Sequence, residues 1–329
     1  LAIILIIIAK NELFLLFKSS RMSLNKPVWK LRDWINIKDL DFKCLSINPN
    51  AIELLKKNRN KIDWTILSRN SNAIELLLEN QERINWFELS ANPNAIELLE
   101  KNQERINWSY LSDNPNAIEL LEKNQERIDW IILSRNINAI KILEENQEKI
   151  NWTYLSGNPN AIELLEKNQE RINWNYLSAN PNAIELLLEN REKINWFELS
   201  GNPNAIKILE ENRDKIDWYN LSSNENAIKL LEQNKNKINW YKLAFNPNLN
   251  GIELLKNREK INYSEILRRE DDDLMWKSLS RNPAIFKLDY KTMKKNNEEM
   301  EEELIKEVMK PSRVFKYPDY DYIDELFGD

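Results

Sequence analysis

Apolar residues return along this chain on a fixed beat. From residue 42 to 239 the sequence repeats every 22 residues without a slip. Trp64, Trp86, Trp108, Trp130, Trp152, Trp174, Trp196, Trp218 and Trp240 mark the period, and Phe42 takes the same place in the first unit. A typical unit, 86–107, reads WFELSANPNAIELLEKNQERIN. A period of this length is the signature of a stacked repeat architecture, so the repetition decides domain organisation and overrides any count of domains from length.

Each unit predicts two helical pieces. In unit 86–107 the first begins after Asn85, a good N-cap for orphan backbone N–H groups. Trp86 and Leu89 follow at i, i+3 and define one face of a single α or 3-10 turn. The second piece begins at Asn92–Pro93, where Asn caps and Pro at the first helical position loses no needed donor. It runs on through AIELLEKNQER as the longer helix of the unit. At ~100° per residue, Ala95, Ile96, Leu98, Leu99 and Asn102 fall on one arc of about 160°. Charged places lie outside it. An arc that wide suits a helix packed on both sides, as in an array.

One polar residue breaks the apolar arc in every unit. Asn58, Asn80, Asn102, Asn124, Asn146, Asn168, Asn190, Asn212 and Asn234 all lie inside it. A buried amide must find partners or cost roughly 1–3 kcal/mol. These Asn are therefore expected to end the helix, in the left-handed conformation or by bonding the backbone of the next unit. With four Gly in the whole chain, Asn is also the expected residue for turns with positive φ, Asn92 and Asn94 included.

No unit can fold alone. About five large apolar side chains, worth roughly 1.5–3 kcal/mol each, face an ordering cost on the order of 30 kcal/mol for one unit. Neighbours must supply the difference, as in a solenoid. The expected fold is all-α, a helical solenoid of tandem repeats with atypical capping ends. Ten to twelve turns at ~8–10 Å would give a body roughly 100 Å long.

The flanks set the domain limits. Residues 22–41, with Trp29, Trp34 and Leu40 but no NPNAI core, are expected to form an N-terminal cap, and 42–287 the repeat solenoid. Leu249–Asn250 is inserted after NPN at 246–248, Asp271, Asp272 and Asp273 suggest an acidic loop, and WKSLSRNPAIF at 276–286 is a last half-unit. Residues 288–329 are expected to form a C-terminal capping helix and tail, the helix running from Asn296 to Lys310 and stopped by Pro311. Residues 1–21, LAIILIIIAKNELFLLFKSSR, are set aside as a non-native or disordered apolar leader. Its alternatives are a packed terminal helix and a signal peptide or anchor; against the latter stand the missing charged start and an apolar run short of the ~18–20 residues of a span.

Composition narrows function. The chain has no His and a single cysteine, Cys44. No disulfide framework can form, His-based catalysis is impossible, and a zinc site lacks ligands. No phosphate loop or nucleophile motif is present. The net charge is −6, poor for binding phosphates. No cofactor and no metal is expected, and no enzymatic activity.

The units NPNAIELLEKN…INW, with a closing NPAIF…PSRV, resemble uncharacterised tandem-repeat proteins of mimivirus-like giant DNA viruses. The resemblance covers roughly residues 28–316 and implies no activity. The NP-containing short unit is also similar in style to leucine-rich variant repeats, in which α and 3-10 turns alternate.

Three places vary between units while their neighbours do not: the two after the Trp and the one before the NPN turn. The short piece should present them on one edge, the concave one. Candidate partner-binding residues are Phe87, Tyr110, Ile132, Tyr154, Tyr176, Phe197, Tyr219 and Tyr241. The nine Trp are expected to be interior residues that join each layer to the next, and they and Asn102, Asn124, Asn146 and Asn168 are assigned structural roles. The expected function is a protein-binding scaffold or adaptor in a reducing compartment, host cytoplasm or virion if the chain is viral. The alternatives are a structural virion component and a repeat-based nucleic-acid reader, which lacks the basic stripe it would need. Neither nucleic acid nor membrane is the expected partner, unless residues 1–21 are a genuine anchor.

Overall fold

The structure, a computed structural model, describes residues 27–257 and 269–308. The apolar segment 1–21 and the tail 309–329 lie outside the described residues. The chain divides into two compact units, Leu31–Phe286 and a smaller one whose described residues are 27–30 and 287–308.

The larger unit is a helical repeat solenoid, and its local structure follows from the capping residues. In residues 86–107 the Trp helix is Trp86–Ser90. Asn85, with φ −88° and ψ 104°, accepts the Glu88 N–H on its side-chain oxygen at 3.1 Å. Ser90 ends this helix. Its Oγ donates to Trp86 O at 2.8 Å and accepts the Asn107 N–H at 3.0 Å, tying the start of the next Trp helix to this one. Asn92 then opens the second piece, its Oδ1 accepting the Asn94 N–H at 3.0 Å.

The second helix is shorter than the sequence suggests. The α-helix covers Ile96–Glu100 and a separate 3-10 turn covers Gln103–Arg105. Asn102 makes the break. Its Nδ2 donates to Leu98 O at 2.8 Å, so it satisfies a carbonyl of its own helix. The nine Asn of this class have φ from −138° to −128°. Neither the left-handed cap nor the bond to the next unit is what they use. A side chain that can reach back one turn removes the need for either. Asn at the second-piece start is likewise extended, with φ −73° and ψ 117° at Asn70 and φ −74° and ψ 119° at Asn202.

Burial sorts the repeat positions. Leu89, Ala95 and Leu99 are fully buried, and Ile106 nearly so. The Trp residues from Trp64 to Trp218 are half-buried, and Trp240 alone among the nine is 5% exposed. Each half-buried indole carries a cation on its outer face, supplied 19 residues later in the same unit. Arg105 stands 4.9 Å from the Trp86 ring centroid and Arg171 5.0 Å from Trp152. The fully buried leucines, at roughly 1.5–3 kcal/mol each, form the core. The indoles roof it.

Units are registered by amides. Asn92 Nδ2 donates to Ser68 O at 3.0 Å and to Asn70 O at 2.9 Å, both in the preceding unit. Asn94 Nδ2 adds a bond to Ser71 O at 2.9 Å. The Asn92-type pair recurs at Asn48, Asn70, Asn92, Asn114, Asn136, Asn158, Asn180, Asn202, Asn224, Asn246 and Asn282, which makes eleven rungs among the described residues. All eleven side chains are buried. Each is satisfied only when the neighbouring unit is in register.

The ladder has no free end. Asn282 donates to Ala244 O and Asn246 O at 2.8 Å each. Asn48, in the first unit, donates to Ser280 O and Asn282 O at 3.0 Å each. Two further bonds repeat across this junction. Asn50 Nδ2 donates to Pro283 O at 3.1 Å, as Asn72 does to Pro49 O at 3.0 Å. The Asp41 N–H donates to Ser280 Oγ at 2.9 Å, as the Asp63 N–H does to Ser46 Oγ at 3.1 Å. Residues 276–286 therefore stand where a unit before the first would stand. The expected body some 100 Å long corrects to a ring of eleven stacked units, in which the two faces an open stack would expose cover each other.

The irregular segment before the junction keeps the register. The inserted Leu249 and Asn250 begin the helix Leu249–Lys256, capped by Asn248. Asp271, Asp272 and Asp273 belong to the helix Arg269–Arg281 and are not a loop. In the smaller unit the ends of two short strands, Trp29–Leu31 and Phe286–Leu288, lie side by side. Its helix, Tyr290–Val308, starts earlier than the expected Asn296. Asp289 explains the early start: it accepts the Thr292 hydroxyl at 2.8 Å and pairs with Lys30 at 3.3 Å. These contacts hold its carboxyl below the usual range, the Thr292 bond first among them.

Candidate interaction surface

The Trp helices present their variable places away from the core. Trp86, Leu89 and Ser90 turn inward, so Phe87, Glu88 and Ala91 must turn out. In the larger unit this is the concave side. Trp helices of neighbouring units approach one another more closely than the Ile96-type helices do. The side chains confirm it, because Arg69 reaches past Ala91 to Asp113 two units on, at 3.8 Å.

The candidate residues divide by exposure. Phe87 is 62% exposed and Phe197 49%, and Tyr110, Tyr176 and Tyr219 are also exposed. Ile132, Tyr154 and Tyr241 are half-buried. Tyr154 packs edge-on against Tyr176 of the next unit, centroids 5.8 Å apart. Gly157 lies beside the Tyr176 ring, where a Cβ would make an ordinary contact at 3.5 Å. Ile131 and Phe245 are exposed on the same stripe. The structural Asn102, Asn124, Asn146 and Asn168 are half-exposed and bond within their own helices.

Charge on the stripe is uneven. Its described residues include Lys43, Arg69, Arg135, Lys242, Lys277 and Arg281 against Glu88, Asp113 and Glu198, six cations to three anions, in a chain of net charge −6. Asp113 takes Arg135 in a bidentate pair at 2.6 and 2.7 Å, which pushes the guanidinium pKa up. Arg69 lies 3.7 Å from Glu88. Lys242 lies over the Tyr219 ring at 4.6 Å.

Two features are not evident from the helical pattern alone. One is the cation over each indole, signalled by the Arg or Lys that follows every Trp from Trp64 to Trp218 at the same interval. The other is Leu78 and Leu188, exposed where units 86–107 and 108–129 carry Glu100 and Glu122. Leu78 lines an open groove with Ile74, Pro93 and Leu98. Aligning the units place by place would have found both.

No group of three or more His, Cys, Asp or Glu among the described residues could hold a metal ion. Among them, no helix is long and apolar enough to cross a membrane. Cys44 is buried, and burial pushes its thiol pKa up. Comparison with family models, with curated proteins and with solved structures returns no match to this chain.

Proposed function

We propose that this protein is a non-enzymatic scaffold that holds a protein partner against the concave stripe of its Trp helices. One observation carries the reading. Large apolar side chains at Phe87, Tyr110, Ile131, Tyr176, Phe197 and Tyr219 stand exposed on a framework whose interior is fixed by buried, fully bonded amides. Contiguous exposed aromatics are the typical anchors of interfaces, and a rigid framework lowers the ordering cost of binding. The variable places differ between units while the core places do not, so each unit offers a different contact within one continuous surface. The single cysteine fits a reducing compartment, and the resemblance to giant-virus repeat proteins would make that the host cytoplasm or the virion.

The test is affinity capture with the full chain from cells that express or host it. It is run beside a variant with Tyr110, Tyr154 and Tyr176 all changed to Ser. A partner recovered by the native chain and lost by a variant of unchanged helicity supports the reading. Equal recovery by both excludes this stripe.

A further inference from the structure

The closure of the ring brings together charges that the sequence keeps apart. Around the concave stripe, Lys242, Lys277, Arg281, Lys43 and Arg69 occupy four consecutive units across the junction, and no acid stands at the equivalent places there. The adjoining arc, residues 152–223, is centred about four of the eleven steps round the ring and carries Tyr154, Tyr176, Phe197 and Tyr219, with Gly157, Ala179 and Gly201 leaving room between the rings and Glu198 as the one charge at the stripe places. Lys277 is held by Asp273 at 2.6 Å and Arg69 is shared with Glu88 and Asp113. Lys43 and Arg281 are exposed.

We infer that the bore of this ring takes an amphipathic α-helix of a partner protein, its apolar face toward the aromatic arc and an acidic polar face toward the basic arc. The inference rests on the scaffold reading above and names the chemistry of the partner. Complementarity of charge selects an acidic face, since the stripe has a surplus of cations in an otherwise acidic chain. Size agrees. Inner helices spaced ~8 Å apart around eleven units leave about 15–20 Å free across the ring, which one helix of ~10–12 Å occupies while long Lys and Arg arms close the gap. A single nucleic-acid strand could also stack on tyrosines. It would bring a phosphate with each nucleotide against Glu88, Asp113 and Glu198, and the cations that would offset this lie mostly on one side.

The experiment uses the full chain and three labelled probes read by fluorescence anisotropy. The first is a synthetic 20-residue helix with Leu and Phe on one face and Glu on the other. The second is the same peptide with every Glu replaced by Lys, and the third is a 20-nucleotide oligo(dT). The acidic helix is expected to bind saturably and at least tenfold more tightly than either comparator. Lys43→Glu with Arg281→Glu should weaken it at least tenfold, and so should Phe197→Ser with Tyr219→Ser. If the double reversal perturbs the fold by circular dichroism, Lys43→Gln alone, at an exposed position, should still weaken it about threefold. Equal or tighter binding of either comparator overturns the inference, as does indifference to Lys43. Should a comparator bind and lose affinity on Phe197→Ser with Tyr219→Ser, the stripe remains a binding surface and only the acidic helix is excluded. If no probe binds, the acidic helix is excluded, and the scaffold reading stands or falls on the captured partner.

Discussion

Changing one rung of the amide ladder separates its three hydrogen bonds from mere packing. Asn180 is fully buried. Its Nδ2 donates to Ser156 O at 3.1 Å and Asn158 O at 2.9 Å, and its Oδ1 accepts the Asn182 N–H at 3.0 Å. Asn180→Ala removes all three. Asn158 O keeps the Ala161 N–H at 3.1 Å. The loss is therefore about 3 kcal/mol, roughly one per bond. Asn180→Asp keeps the shape and the Asn182 bond but turns an oxygen toward two carbonyl oxygens. Burial and that repulsion raise the Asp pKa in the folded state above its unfolded value of ~3.9. The folded state then holds the proton more tightly, so stability is greatest below pH ~4 and falls as pH rises toward the folded pKa, by ~1.4 kcal/mol for every tenfold difference in proton affinity between the two states. Urea unfolding followed by circular dichroism at pH 4, 5.5 and 7 reads this directly. The Asp variant should lose stability across the range and end below the Ala variant, whose pH dependence should track that of the native protein. An Asp variant as stable as the native protein at pH 7 would refute the ladder as the device that registers the units.

Other residues give further tests. Trp152→Ala removes a half-buried indole under Arg171, and should cost about 2–3 kcal/mol in urea unfolding, less than Leu155→Ala at its fully buried neighbour, about 3–5 kcal/mol; the reverse order would mean that the indoles form the core. Cys44, buried with a raised pKa, should react with a thiol reagent only at the rate of unfolding, and stability should fall as pH rises past the ordinary thiol pKa of ~8.5. Prompt labelling in the native state would show the site is open. Asn168→Ala removes the bond to Leu164 O at 2.9 Å at a half-exposed helix end, and should cost only about 1 kcal/mol. A loss as large as that of Asn180→Ala would contradict the distinction between the two classes of Asn.

Much of the repeat was legible because one-dimensional signals carry it. The Trp and Leu spacing gave the units, and Asn85 and Asn92 gave the starts of both helical pieces by ordinary capping chemistry. The exposed character of Phe87, Tyr110 and Phe197 followed from their variation beside invariant neighbours. What stayed hidden depends on distance between units. Asn102 and Asn92 look alike in sequence, and only geometry shows that one bonds its own helix while the other bonds the preceding unit. The indoles read as interior because Trp is large and apolar, but a cation above each ring lets it stay at the surface. Closure was out of reach. Curvature is a small difference in spacing between the two sides of a unit, summed over eleven steps, and no single residue encodes it. Arg281 and Lys43 came onto adjacent units only when that sum closed.

The distance across the junction decides the matter. Spin labels at Lys43→Cys and Lys277→Cys, in a Cys44→Ser background, sit on adjacent units if Asn48 bonds Ser280 and Asn282. Pulsed dipolar spectroscopy should then give one narrow distribution at roughly 10–25 Å, whereas ten steps of ~8–10 Å along an open stack would give a separation several times longer and contradict the ring.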